Sequence, residues 1–193
     1  LTLTRQAPGS STASMAVLDI LTYPDERLRQ VSRPVQQFDA ALRARIDDLE
    51  QTRRAGPGAV GIAAPQVGCF RRVVILDCSA TRKPVPNHGR LVLVNPEITH
   101  WEGYEPGREG CLSVPGYYEE VKRAEHIRVR HLDRNGEQVE TEAEGLLAVC
   151  IQHEMDHLDG KLFVDYLSEA KRMRIRKKLV KDQRHRSPEA VAL

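Results

Sequence analysis

The run "GLLAVCIQHEMDHLDG" at residues 145–160 decides how the rest of the chain is read. Leu146, Leu147, Val149 and Ile151 keep it apolar through successive turns, and Gly160 stands where a helix would be capped, so the run predicts a helix. On that helix His153 and His157 are four apart and lie one above the other, so both imidazoles can turn toward one ion. Glu154, beside the first histidine, can hold a metal-bound water and take its proton. That is the physical content of a His-Glu-x-x-His pattern. A chance match on a solvated helix is the plain alternative. It fits poorly, because an otherwise apolar helix part-buries both histidines and leaves them needing partners.

Two histidines supply two ligands, and the third decides the chemistry. Gly160 falls in register for a metzincin protease, but Phe163 stands where that site needs a histidine, and phenylalanine binds no metal. A thermolysin-type site needs a later glutamate. After His157 there are only Glu169, too close to return from a second helix, and Glu189, in a Pro-containing tail. Cys150 lies on the same helix, about 10.5 Å along the axis from His157, too far for one ion with bonds of about 2.0–2.3 Å. Among Leu147, Ala148, Val149 and Ile151 it reads as a small apolar wall residue. Cys111, in "REGCLSVPG" (108–116), sits in neither a plain strand nor a plain helix, next to a glycine that lets the backbone approach closely. It is either a ligand delivered by a distant loop or a buried free thiol.

The chain has 193 residues, 40% hydrophobic and 29% charged, which suits one soluble globular domain with a full core. A net charge of +2 does not by itself argue for nucleic acid. No run of about 18 apolar residues exists, so no transmembrane helix is expected. The cysteines at 69, 78, 111 and 150 form no Cys-x-x-Cys, which suits a reducing compartment. "FDAALRARIDDLEQTRRA" places Phe38, Leu42, Ile46 and Leu49 on one helical stripe with Asp39 as cap. "RRVVILDC" and "LVLVNP" read as strands joined by a surface loop. Asn135-Gly136 predicts a type I′ hairpin. The last element is a basic helix over 168–186 capped by Ser168. These elements predict an α+β fold, with antiparallel or mixed sheets packed around the central histidine-bearing helix and a C-terminal helix behind. Residues 1–14, rich in Ser and Thr and free of acids, read as a leader or disordered arm. A transit-peptide remnant is the sharper alternative. The folded domain is expected over 15–193.

Three stretches together resemble the peptide deformylase family: "AVGIAAPQ" (59–66), "EGCLS" (109–113) and "QHEMDHL" (152–158), in the family's order and at similar intervals. The resemblance extends from about Met15 through the basic tail. One departure is Ala59 where the family has a glycine, unless Gly58 takes that role one residue earlier. The resemblance implies removal of the formyl group from N-terminal formyl-methionine of new polypeptides, with release of formate. It implies that Cys111, His153 and His157 hold a metal with water in the fourth position, and that Glu154 moves the water's proton to the leaving amine. Gln66 and the backbone N–H of Leu112 then bind the formyl oxygen as it becomes negative. A neutral amide suits that task because it donates without neutralising Glu154. Ferrous iron (Fe2+) is the implied cofactor, with Zn2+, Ni2+ or Co2+ as substitutes. Val149, Cys150, Ile62 and Leu112 are candidates for the wall of a methionine pocket. Gly61, Glu109 and Gly110 are candidates for fixing the loop or pairing with an extended substrate.

From Lys171 to Arg186 there are nine Lys/Arg against one acid, Asp182. Such a helix face is often only solvated. The resemblance favours contact with ribosomal phosphate near the exit tunnel. It also implies a bacterial cytoplasmic enzyme, or an organellar one if residues 1–14 are a transit remnant; a monomer is the default for this size.

Overall fold

Asp39 opens the first helix, α1 (Ala40–Ala55), by accepting the backbone N–H of Leu42 at 2.9 Å, which satisfies one of the orphan donors of the first turn. The computed structural model describes residues 16–186, so the expected leader at 1–14, Met15 and Glu189 lie outside the described residues. The predicted stripe of α1 faces inward: Ile46 and Leu49 are buried, and Phe38 and Leu42 pack against the same cluster.

Five strands follow in sequential antiparallel order: β1 (Gly61–Ala63), β2 (Val73–Asp77), β3 (Arg90–Cys111), β4 (Val114–Leu132) and β5 (Gln138–Glu144). The expected α+β class holds, and the sheet is antiparallel. β2 is buried on both faces, which explains its unbroken apolar run. β3 runs well past the predicted "LVLVNP". Gly103, Pro106 and Gly107 are poor strand residues, and the extension exists because β4 pairs with it as far as Gly110↔Tyr118. Near the start of β3 the register shifts at Asn95 (φ 51°), whose side-chain amide exchanges two hydrogen bonds with the backbone of Val35, at 2.8 and 2.9 Å.

The β4–β5 hairpin forms where Asn135-Gly136 predicts it, but the turn type differs. Gly136 has φ 85°, whereas Asn135 is not left-handed, and a type I′ turn requires positive φ at both. Asp133 decides the outcome: its carboxylate accepts from Asn135 and Glu137 N–H at 2.8 and 3.0 Å, and its carbonyl from Gly136 at 3.1 Å.

β5 runs directly into α2 (Gly145–Leu158), the chain turning at Gly145 with φ 58°. Leu147, Ala148, Ile151 and Leu158 of α2 enter the core cluster formed with β1, β2, β4 and β5. Each large apolar side chain so buried contributes about 1.5–3 kcal/mol. The helix ends as predicted at Gly160 (φ 71°): Gly160 N–H donates to His157 and Lys161 N–H to Asp156. A side chain there would collide with the Arg29 carbonyl. Ser168 caps α3 (Glu169–Arg186), accepting from Lys171 N–H at 3.3 Å, and Ile175 and Leu179 join Tyr23, Val114 and Phe163 in a second cluster. Among the described residues no helix is long and apolar enough to cross a membrane.

Candidate metal centre

Cys111 ends β3, and His153 and His157 sit one turn apart on α2. The fold brings one donor atom of each within 4.8 Å of the others. Cys111 Sγ and His157 Nε2 are 3.4 Å apart. Two such ligands on one tetrahedral zinc-like ion, with bonds of about 2.3 and 2.0–2.1 Å, would be about 3.5 Å apart, so the donor set fits a metal. A thiolate and two imidazoles leave a fourth position open, as catalytic sites do.

His153 is oriented by a partner, whereas His157 Nδ1 is buried with no hydrogen-bond partner among the described residues. His153 Nδ1 donates to Glu109 Oε1 at 2.8 Å, so Nε2 is the nitrogen left to face an ion. Burial opposes the charge on His153, but hydrogen bonds to Cys111 and Glu109 more than offset it and raise its basicity well above the ordinary value. His157 is pushed well below the ordinary value by burial and by the charge of His153, so it stands neutral and able to ligate. Phe163, the residue that occupies the metzincin ligand position, stacks on His153 at 6.1 Å instead.

Behind Glu109 lies a buried chain of charge. Arg123 holds both Glu109 oxygens at 2.9 Å and reaches Asp156 at 2.6 Å; the Tyr166 hydroxyl donates to Asp156 at 2.8 Å. Burial opposes ionisation of Glu109, yet His153 and Arg123 bring it below the usual carboxylate value. Both oxygens of Glu109 are therefore engaged inside the protein, on the side of fixing the loop. Arg123 and Tyr166 are site residues that no sequence spacing marks. Asp156 and Gln152 were visible only as members of the "QHEMDHL" stretch.

Glu154 is 5% exposed, and its Oε2 has no hydrogen-bond partner among the described residues. Burial is the main cause that raises its pKa to about 7. Gln66 is also buried: Ala63 N–H donates to its Oε1 at 2.9 Å, and its Nε2 donates to Ser113 Oγ at 3.0 Å and lies 3.5 Å from Cys111 Sγ. The segment before α1 ties these pieces together, since Leu21 N–H donates to the Gln66 carbonyl and Tyr23 N–H to that of Ser113.

A cleft of about 390 Å³ opens beside these groups. Gly61, Gly110, Leu112, Val149 and Cys150 line it, together with Gln66, Glu109 and Glu154. Ile62 does not. It is fully buried among Ile46, Leu49 and Ile75, because side chains alternate along β1 and only the Gly61 side faces Glu154. Its expected place in the pocket wall is thus corrected to the core. Ala59 also lines the cleft, and its substitution for glycine costs no backbone strain because the left-handed residue is Gly58, with φ 66°.

Comparison with known proteins agrees with this geometry. The family described as polypeptide deformylase matches residues 17–173. The chain is 58% identical over 167 residues to the peptide deformylase of Alkalilimnicola ehrlichii, covering 86% of this chain and 91% of that one. It is 52% identical to that of Hahella chejuensis over 174 residues, 90% of this chain and 100% of the relative. Among solved structures it resembles a peptide deformylase from Legionella pneumophila (TM-score 0.80, 47% identity, 90% of this chain and 100% of that one). It also resembles the Ehrlichia chaffeensis peptide deformylase in complex with actinonin (TM-score 0.83, 38% identity, 88% and 99%). With a Cys-His-His donor set beside a buried glutamate, and with a family match across most of its length, this chain belongs to the polypeptide deformylase family.

Proposed function

We propose that this chain hydrolyses the formyl group from the N-terminal formyl-methionine of new polypeptides, releasing formate. The observation that carries the reading is Glu154: a buried carboxylate with one unpartnered oxygen, next to the three-ligand cluster at the head of an apolar cleft. Cys111, His153 and His157 would hold ferrous iron, with Zn2+, Ni2+ or Co2+ as substitutes. When bound, the ion supplies Lewis acidity that makes a water acidic enough to lose its proton near neutral pH.

Glu154 accepts that proton and delivers it to the amine nitrogen as the formyl C–N bond breaks. Gln66 Nε2 and the Leu112 N–H donate to the formyl oxygen while it carries negative charge, each contributing about 3 kcal/mol. Ala63 and Ser113 hold the Gln66 amide on both ends, so little reorganisation is needed at the moment of reaction. Val149, Cys150 and Leu112 receive the methionine side chain.

Formate release from formyl-Met-Ala-Ser by anaerobically prepared, iron-loaded protein tests the reading. Glu154→Ala is expected to keep its metal and lose about 10²–10⁴-fold in kcat. Absence of formate from folded, metal-replete protein would overturn it.

The substrate leaves the ribosome, and α3 presents Arg174, Arg176, Lys177, Lys181 and Arg184 to solvent. We propose that this face docks on ribosomal phosphate near the exit tunnel, in the bacterial cytoplasm and as a monomer. Because Ile175 and Leu179 of the same helix are core residues, charge reversal is a cleaner test than deletion. Arg176→Glu with Lys177→Glu should weaken salt-sensitive ribosome binding, and unchanged binding would reject the idea.

A further inference from the structure

β2 leaves β3 at Val73↔Val94, whereas β4 stays paired with the other edge of β3 as far as Gly110↔Tyr118. The last four residues of β3, Arg108 to Cys111, all line the cleft. A peptide lying in the cleft thus meets a β3 edge that β2 leaves uncovered. Side chains alternate along the strand. Glu109 turns toward α2, where it accepts from His153 Nδ1, so Arg108 and Gly110 share the opposite face. Tyr118 lies on that face too. A methyl group on Gly110 would fall 2.5 Å from its ring, and the Arg108 guanidinium stands over the ring, 5.6 Å from its centroid.

The other charged groups of the cleft wall are buried. Glu109 is held between His153 and Arg123, and Glu154 sits beside the metal ligands. Arg108 is exposed. Glu120 stands opposite it in the β3–β4 register, yet among the described residues Arg108 makes no ion pair, only its contact with Tyr118.

We propose that Arg108 determines specificity in this cleft, favouring an acidic residue directly after the formyl-methionine. The inference rests on the deformylase reading, with the methionine side chain received by the α2 wall. An extended peptide turns successive side chains to opposite faces. With methionine on the α2 side, the next side chain emerges on the face that carries Gly110, Tyr118 and Arg108. Gly110 leaves that space open, and the Tyr118 ring holds the guanidinium beside it. Diagonal neighbours on paired strands lie about 7–8 Å apart, a span that two long side chains close. A carboxylate there gains the arginine as its partner, and an ammonium is repelled.

Iron-loaded holoenzyme is assayed for formate release from formyl-Met-Glu-Ser-amide and formyl-Met-Gln-Ser-amide. The amide end removes the terminal carboxylate, so the two peptides differ in charge at one side chain of nearly equal size. The Glu peptide should show about fivefold higher kcat/KM, the upper range for an exposed ion pair, carried by KM rather than kcat. High salt should erase most of the difference. Arg108→Glu should invert the ratio, and Arg108→Lys should keep it above one. Each result is a ratio within one protein, so a general loss of activity in a variant does not imitate it.

Equal kcat/KM for the two peptides in the parent, or the same ratio in the parent and in Arg108→Glu, would overturn the assignment and leave the deformylase reading standing. No formate from either peptide would sink that reading, and the assignment with it.

Discussion

A methyl group on Gly61 would fall 2.9 Å from both Cγ and Oε1 of Glu154, closer than such atoms approach. The glycine therefore sets the position of the carboxylate as well as lining the cleft. Gly61→Ala should displace Glu154 and lower kcat/KM about 10²-fold, the usual effect of an ångström-scale misplacement. Metal content should be unchanged, since the three atoms nearest that methyl all belong to Glu154; atomic absorption beside formate-release kinetics checks both. Glu109 acts one step further back, accepting from His153 Nδ1 and from Nε and Nη2 of Arg123. In Glu109→Gln the charge that orients the imidazole is gone while Arg123 stays buried. Metal affinity should fall by about 10–100-fold, measured by competition with a chromophoric chelator. An unchanged affinity would mean that the helix alone orients His153.

At the scale of elements, α2 is fastened to β4 by more than apolar contact. β5 stops pairing with β4 at His126↔Glu144, and two residues beyond, Gln152 takes over the Ala124 N–H and C=O at 3.0 and 2.8 Å. The side-chain amide thus replaces a strand partner and fixes the height of the metal helix against the sheet. At the other end of the β4–β5 pair, His131 is buried. Leu132 O can only accept, so His131 Nδ1 carries the hydrogen and Nε2 accepts from the Thr141 hydroxyl at 2.8 Å. Burial lowers this imidazole below its usual 6.5. As pH falls below about 6.5 the unfolded chain takes up a proton that the folded one refuses, so stability is lost on acidification and regained toward pH 7–8. His131→Asn removes this site from the titration. Its stability deficit relative to the parent, from urea midpoints, should therefore be largest at pH 8 and narrow at pH 5.5. A constant deficit would contradict the neutral buried imidazole.

Over the whole molecule, the Cys111–His153–His157 cluster joins the end of the long β3–β4 hairpin to α2, with Cys111 42 or more residues from the two histidines in sequence. An ion bound only by the folded form adds stability by mass action, about 4 kcal/mol at a thousandfold excess over Kd. For a chain of this size that is roughly 10 °C in Tm. Chelation should lower Tm accordingly and re-addition of metal should restore it, whereas Cys111→Ala should melt at one temperature with or without metal. Equal loss of metal-dependent stabilisation is not expected from Glu154→Ala, which leaves all three ligands in place.

Some of this was written in the chain locally. The four-residue spacing of His153 and His157, the Asp39 and Ser168 caps, the Gly160 stop and the apolar run of β2 each depend on neighbours within a few residues, and the structure has them where the sequence implies. The order of strand-like and helical runs pointed to the α+β class, and the three short stretches that resemble deformylases to the family. Tertiary structure alone decided what depends on contacts between distant segments. β3 continues through glycines and prolines because β4 is there to pair with it, and the Asn135-Gly136 turn yields to the Asp133 carboxylate. Ile62 belongs to the core because strand alternation turns it away from Glu154. Arg123 and Tyr166 join the site only because the sheet, α2 and the turn that follows it pack together. Spacing within one helix or strand can be read from sequence, since covalent geometry enforces it; which faces meet is settled by burial, and burial is a property of the whole fold.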